Sequence, residues 1–414
     1  MLPYLLEWLS LLGRWLHFIV GIAWIGSSFY FVWLDNHLEP PKLKGDGEKG
    51  VGGELWSVHG GGFYHAQKYA VAPAQLPETL HWFKWEAYTT WLSGMFLLGL
   101  IYWLGADVYL VDASVRELAP GTAVAIGAGF LVGGWLVYDL LCRSPLGRNA
   151  GALSALLYVL LGVAAWALCQ LFSGRGAYIH FGALIGTIMV ANVFFVIIPG
   201  QKRMVAATER GEPVNPEDGL RGKQRSVHNT YLTLPVLFVM ISNHYAMTFG
   251  HAWNWLILMA FVLAGALIRV YFVARHKGKT SPLPAIAGVL VLAGVAIAIA
   301  PRPRVASEAP VVDTVTFEAL APGATARFDD IVQIVTVRCA SCHADVPTQP
   351  GWVSPPGGVV FNDADDIVRQ ARDIYEQSVE AQIMPVGNLT HMRDAEREAI
   401  GDWFADGAPA DWRQ

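Results

Sequence analysis

Near the end of a 414-residue chain stands VRCASCHADV, Val337–Val346. Cys339 and Cys342 lie two residues apart in the chain's CxxC sense, and His343 follows at once. Thiols at this spacing add to the vinyl groups of a haem, and the adjacent imidazole reaches the iron from one side. A lone CxxC also serves redox and zinc chemistry, so the flanking sequence has to decide. Phe328–Val337 has helical apolar periodicity ahead of the motif, and Asp394–Asp406, with Ile400, Trp403 and Phe404, has it behind. Between them IMPVGN offers Met384 before a proline. A thioether opposite histidine raises the haem potential, which suits an electron carrier. Met392 is the rival ligand, but it heads the closing helix, and Met384 is favoured. The tail, 328–414, therefore reads as a small all-α, class I-like cytochrome c domain. It is expected to hold haem c through Cys339 and Cys342, with His343 and Met384 on the iron.

What carries this tail is not a soluble protein by composition. Hydrophobic residues make up 54% of the chain and charged residues only 15%, where a soluble domain has closer to about a quarter charged. The apolar surplus points to lipid, and the 16 tryptophans fit the enrichment of indole at membrane interfaces. The net charge of −5 and the lack of a basic run give no sign of nucleic acid. Polarity shifts near residue 300, which divides the chain into a membrane domain, 1–300, a Pro- and Ala-rich linker, 301–327, and the cytochrome domain. The remaining cysteines, Cys142 and Cys169, sit in apolar segments and read as inert buried thiols.

Apolar stretches of about 20 residues are long enough to cross a bilayer as helices. Eight are expected, near 5–33, 82–104, 120–142, 151–172, 177–199, 228–248, 253–274 and 283–300. The first, led by MLPYLLEW, lacks the basic start and small-residue site of a cleavable signal. Covalent haem attachment to CxxCH takes place on the periplasmic side in bacteria, so the tail belongs outside the inner membrane. Eight spans then put the N-terminus outside too. The loops left inside hold Lys42, Lys44, Lys49 and Lys68, then Arg143 and Arg148, six basic residues between 202 and 225, and Arg275, Lys277 and Lys279. That excess is the one expected of cytoplasmic loops, and the two arguments agree.

With a side assigned, the intramembrane polar residues sort by depth. His17, His180 and His244 fall towards the outer face, and Lys84, Glu86, His228 and Arg269 towards the inner. Ionisable groups within spans are costly and usually functional. Imidazoles from facing helices hold metals and haems in bundles, so two of His17, His180 and His244 are expected as ligands of a second, b-type haem. The plainer reading of each is a hydrogen-bonded interior histidine. The first inner loop, GGELWSVHGGGFYHAQKY (Gly52–Tyr69), mixes glycines with Trp56, His59, Phe63, Tyr64, His65 and Lys68. Glycines let a ligand approach the backbone closely, and the rings suit stacking on a flat one.

HFIVGIAWIGSSFYF in the first helix, this loop and the C-terminal CASCH…MP together resemble the bacterial integral-membrane urate oxidases coupled to cytochrome c, over essentially the full chain. The first-helix stretch also resembles that of haem-containing membrane protoporphyrinogen oxidases, where the histidine is implicated in haem binding, which favours His17. The family resemblance implies oxidation of urate to 5-hydroxyisourate, with electrons passed to haem rather than oxygen and no hydrogen peroxide formed. A downstream cytochrome c or terminal oxidase is then the expected partner.

Urate is a flat anion, so its site needs a cation, aromatic faces and a base. Arg269 or Lys84 would supply the charge, Trp56 or Phe63 the stacking, and His59, His65, His228 or Glu86 the base. A quinol:cytochrome c oxidoreductase, or a redox sensor or transporter with a cytochrome tail, would fit the same spans.

Overall fold

In the computed structural model, residues 2–43, 45–112, 115–276, 278, 280–300, 326–349, 355–380, 382, 384, 385 and 388–413 are described. The expected linker falls almost wholly outside them. The chain divides into two units, residues 1–243 with 252–298, and residues 244–251 with 299–414.

Helices dominate the first unit: α1 (Leu2–His37), α2 (Trp85–Leu97), α3 (Pro120–Arg143), α4 (Ala150–Cys169), α5 (Gly174–Ala191), α6 (Ile198–Glu209), α7 (Pro216–Ser242), α8 (Asn254–His276) and α9 (Leu283–Ala298). Side-chain caps start several of them. Asn149 Oδ1 accepts from Ala152 N at 3.0 Å, Ser173 Oγ from Gly176 N at 3.0 Å, and Asn215 Oδ1 from Glu217 N at 3.1 Å. Each satisfies an orphan donor of a first turn.

Among the described residues, five helices are long and apolar enough to cross a membrane: Trp8–His37, Pro120–Arg143, Ala150–Cys169, Gly174–Glu209 and Asn254–His276. Leu283–Ala298 is apolar but shorter. The other two expected spans are helical yet less regular. After Leu97, α2 loosens into a π-helical turn over 98–103. The sixth stretch belongs to α7, which begins at Pro216, carries Arg225, Asn229 and Thr230 buried, and stops at Ser242. Its polar face explains why it misses the apolar criterion. Its early end leaves His244 on a turn rather than in a span.

The all-α expectation needs one correction. Gly52–Tyr69 is a hairpin, β1 (Val51–His59) paired antiparallel with β2 (Gly62–Tyr69). Its sequence carried the signal. Leu55, Trp56, Val58, Phe63 and Tyr64 suit a pleated surface. Gly60 and Gly61, at φ 57° and 80°, supply the two positive-φ positions of a type I′ turn between His59 and Gly62. Lys68 Nζ grips both Asp35 oxygens at 2.7 and 2.8 Å, pinning the hairpin base to the end of α1.

The most enclosed element is the continuous helix Gly174–Glu209, in which α5 and α6 join through a π-helical turn at 192–197. Small residues let neighbours close on it. A Cβ on Gly134 would meet Leu184 at 2.1 Å, and one on Gly182 would meet Val239 at 2.5 Å. This is how helices pack where lipid supplies no hydrophobic drive between them.

The second unit has a separate core. Helices α10 (Phe328–Arg338), α11 (Ala340–His343), α12 (Ala364–Arg369), α13 (Ala371–Tyr375) and α14 (Asp394–Ala405) surround Phe328, Ile331, Ile334, Ile400, Trp403 and Met392. The leading and closing helices meet through Phe328 and Trp403, with ring centroids 5.9 Å apart.

Candidate functional site

On the hairpin, His65 sits between two partners. Its Nε2 hydrogen-bonds Glu54 Oε2 at 3.0 Å, and Trp56, its cross-strand neighbour, stacks on it at 4.2 Å and 9°. The Lys42 backbone N–H donates to Glu54 Oε1 at 3.0 Å. That bond first, and His65 second, hold the Glu54 carboxyl below the usual range, against the opposing effect of burial. His59 and Phe63 are not gathered into this cluster. His59 is exposed beside the turn and Phe63 is 80% exposed. Glu54 escaped the sequence reading, although strand pairing puts it diagonally across from His65.

His228 anchors a larger buried network. Its Nδ1 lies 2.7 Å from the Tyr138 hydroxyl. Asn192 Nδ2 donates to that same hydroxyl oxygen at 3.0 Å and to Asn229 Oδ1 at 2.9 Å. Asn229 Nδ2 donates onward to the Met189 carbonyl at 2.9 Å. Arg225 lies over the Tyr138 ring at 4.9 Å and donates to Asp139 Oδ1 at 2.7 Å. Tyr138, Asn192 and Arg225 come from α3, the π-helical turn and α7; apolar periodicity hid the first two, and Arg225 reads from sequence only as one of the basic loop residues.

Arg269 and Glu86 are left differently. Arg269 is 6% exposed, its guanidinium lies 4.1 Å over the Phe29 ring, and its Nε has no hydrogen-bond partner. Glu86, in the first turn of α2, has a buried Oε2 with no partner. Lys84 stays beside Trp85, with Nζ 5.8 Å from that ring.

Within the first unit, His17 and His180 do not converge. His17 Nδ1 meets Ser93 Oγ at 2.9 Å. His180 is fully buried with both ring nitrogens engaged. Nδ1 donates to the Gly176 carbonyl at 2.8 Å and Nε2 accepts from Trp103 Nε1 at 3.1 Å. Ser93 and Trp103 are ten residues apart, about 15 Å along a helix axis. His244 is exposed and belongs to the second unit. His17 and His180, so engaged and so spaced, do not fit together as an axial pair for a b-type haem. No group of three or more His, Cys, Asp or Glu suited to a metal ion forms among the described residues.

In the second unit the CASCH residues do suit a covalently held haem. Both cysteines are unpaired thiols. The Cys339 carbonyl closes a tight turn, accepting from the Cys342 and His343 amides at 3.1 and 3.0 Å. His343 Nδ1 donates to the Val359 carbonyl at 3.0 Å, which fixes the ring and leaves Nε2 for iron. Burial first, and Cys342 second, push the Cys339 thiol up to about 12. Met384 is only half-buried, whereas Met392 is 4% exposed within the apolar core. That difference favours Met384 as the ligand facing His343.

The structure thus defines a largely helical protein with several helices of membrane-crossing length, buried polar clusters in its first unit and a CxxCH motif in its second. The family described as urate oxidase N-terminal matches residues 3–300, and the chain belongs to that family. It is an oxidoreductase type whose chemistry is urate-related oxidation of a small molecule. No curated protein and no solved structure matches the chain.

Proposed function

We propose that this protein is a membrane-bound urate oxidase that hydroxylates urate to 5-hydroxyisourate and delivers the electrons to a c-type haem on its own tail. The observation that carries this reading is the family match over residues 3–300 in the same chain as CASCH. A bilayer is the natural cover for α1, whose Leu11, Trp15, Phe18 and Ile22 form an uncovered apolar stripe, each more than half exposed. Attachment chemistry puts the tail on the periplasmic side of a bacterial inner membrane, as does the distribution of Lys and Arg.

Urate plus water gives 5-hydroxyisourate, two protons and two electrons. Cys339 and Cys342 would hold the haem, with His343 and Met384 as ligands, and it would supply single-electron acceptance at a raised potential. A cytochrome c or terminal oxidase downstream would take each electron on, so no hydrogen peroxide forms. Within the first unit, His228 supplies an imidazole for proton transfer, Glu86 a carboxylate oxygen free to take a proton, and Arg269 the cation for an anionic substrate.

Anaerobic addition of urate to the oxidised, membrane-extracted holoprotein tests this. Reduction of the c-type bands with stoichiometric loss of urate is the expected result. Reduction by a quinol and not by urate would overturn it in favour of a quinol:cytochrome c oxidoreductase. Reduction by neither leaves a sensor or transporter.

A further inference from the structure

Three of the basic residues between 202 and 225 come together where α6 turns back into α7. Gly211, at φ 67°, follows the end of α6, and Asn215 caps the start of α7. The helices close on each other at Gly200, where an added Cβ would meet the Asp218 carbonyl at 3.3 Å. Arg203 and Ala206 on α6, and Arg210 just past its end, recur at helical spacing along one face. Asp218 and Arg221 do the same on α7. Together these rows line one cleft of about 550 Å³, a size that suits a small molecule.

Among the described residues, the cleft wall holds three guanidiniums and one carboxylate. That carboxylate is spent on Arg203. The Asp218 oxygens accept from Arg203 Nε at 3.2 and 3.1 Å and also from Nη2, and the Asp218 side chain is only 11% exposed. The pair fixes the Arg203 guanidinium by one edge, with Nη1 outside it. Arg210 and Arg221 reach carboxylates that lie off the wall, Glu212 at 2.6 Å and Glu217 at 4.0 Å, and all four side chains are more than half exposed. Exposed pairs of this kind contribute little and exchange readily for a stronger partner. Arg225, one turn further along α7, is occupied by Asp139 and Asn192 and takes no part.

An anion drawn to this wall has to meet guanidiniums from more than one direction. A carboxylate presents two oxygens in one plane, enough for one guanidinium. A terminal phosphate group carries up to two charges and three acceptor oxygens on a tetrahedral centre, so it can serve both helices at once. We infer that Arg203, Arg210 and Arg221 form a binding site for an anion with a terminal phosphate group. Asp218 holds Arg203 in place, while Arg210 and Arg221 turn from their surface carboxylates to the ligand. The site does not depend on the urate reading, since none of its residues belongs to the clusters around His228, Arg269 or CASCH. Two sources carry the group, a soluble phosphate compound and phosphatidic acid in a bilayer, and α6 ends a helix of membrane-crossing length.

Both sources are tested on the full-length holoprotein. Equilibrium binding of inorganic pyrophosphate in phosphatidylcholine nanodiscs, at fixed ionic strength, reads the soluble one. Native mass spectrometry after reconstitution in vesicles of equal phosphatidic acid and phosphatidylcholine reads the lipid one. Wild type is expected to bind pyrophosphate but not acetate, or to retain phosphatidic acid over phosphatidylcholine. Arg210→Gln with Arg221→Gln should weaken that binding by about tenfold or more, the worth of a charged hydrogen bond, at an unchanged melting temperature. Lys202→Gln with Lys223→Gln removes the same charge from exposed residues off the cleft wall and should keep binding within twofold. Binding of pyrophosphate alone makes the ligand soluble, and retention of phosphatidic acid alone makes it a lipid; either upholds the site. Binding of neither by wild type overturns it. So does binding by the arginine variant within twofold of wild type, or an equal loss in the lysine variant, which would reduce the effect to diffuse charge. If the double arginine variant melts lower than wild type, Arg221→Gln alone takes its place under the same twofold limit.

Discussion

Arg397, on the closing helix of the second unit, donates from Nη1 to the carbonyl of Met384 at 3.0 Å and also to the carbonyl of Ser378. Arg397 is 8% exposed, and the Met384 amide is tied in turn to the Gln377 carbonyl at 3.0 Å. The residue that should face His343 is thus strapped to α14 by a buried cation rather than by its own packing.

Arg397→Leu should therefore loosen Met384 more than it loosens the fold. The ferric spectrum is expected to lose its thioether-ligation band, the reduction potential to fall, and the ferrous haem to bind carbon monoxide, with Lys restoring these signatures in part. An unchanged ferric spectrum and potential would separate Arg397 from Met384 placement.

Arg338 and Glu396 form the buried ion pair that joins α10 to α14. Nη2 meets Oε1 at 2.9 Å, Glu396 is 1% exposed, and Glu396 Oε2 also accepts the Arg393 N–H at 2.8 Å. Removing Arg338 leaves the buried carboxylate with the Arg393 N–H and the Arg393 guanidinium at 3.7 Å, so Arg338→Ala should cost about 1–3 kcal/mol. Denaturant unfolding followed at the haem band measures it. Arg338→Met with Glu396→Leu should recover much of that loss, whereas an additive penalty would mean the pair acts through shape alone.

Tyr138→Phe removes the hydroxyl on which Asn192 and His228 both depend. Two buried polar groups lose partners, so a destabilisation of about 1–3 kcal/mol is expected in thermal unfolding of the full chain. The His228 ring loses the bond that sets its tautomer, and nitrogen-15 shifts of labelled histidine should report the change. Retained stability together with an unchanged His228 signal would remove Tyr138 from the network.

Glu54 gives the hairpin a pH response with a definite sign. Its folded carboxyl lies below its ordinary value of 4.5, so its contribution is complete above that value. That contribution is lost as pH falls through the lower, folded value. Trp56 fluorescence, sensitive to stacking on His65, should show a transition below about 4.5. Glu54→Gln should abolish that transition. A transition at the same pH in the variant would assign it to another group.

Much of the architecture was open to reading from local pattern. Apolar periodicity located the five helices of membrane-crossing length, though not the polar helical stretches 200–209 and 216–227, and Cys339, Cys342 and His343 declared themselves because attachment needs neighbours in the chain. The hairpin was overlooked because its glycines and histidines drew attention as ligand-binding features. In fact Gly60 and Gly61 were there to supply positive φ. The outer histidine layer misled for a related reason, since shared depth says nothing about what each ring nitrogen already bonds.

By itself the sequence determined what depends on near neighbours: helix and turn positions, the composition shift near residue 300, and the CASCH turn. Only tertiary structure decided that Trp103 occupies His180, that Asn192 and Tyr138 adjoin His228, and that Arg269 Nε and Glu86 Oε2 are buried without a hydrogen bond. Those pairings span 54 to 90 residues of chain. They are set by how far one helix slides and turns against another, and a shift of one residue turns a side chain by about 100° around its axis.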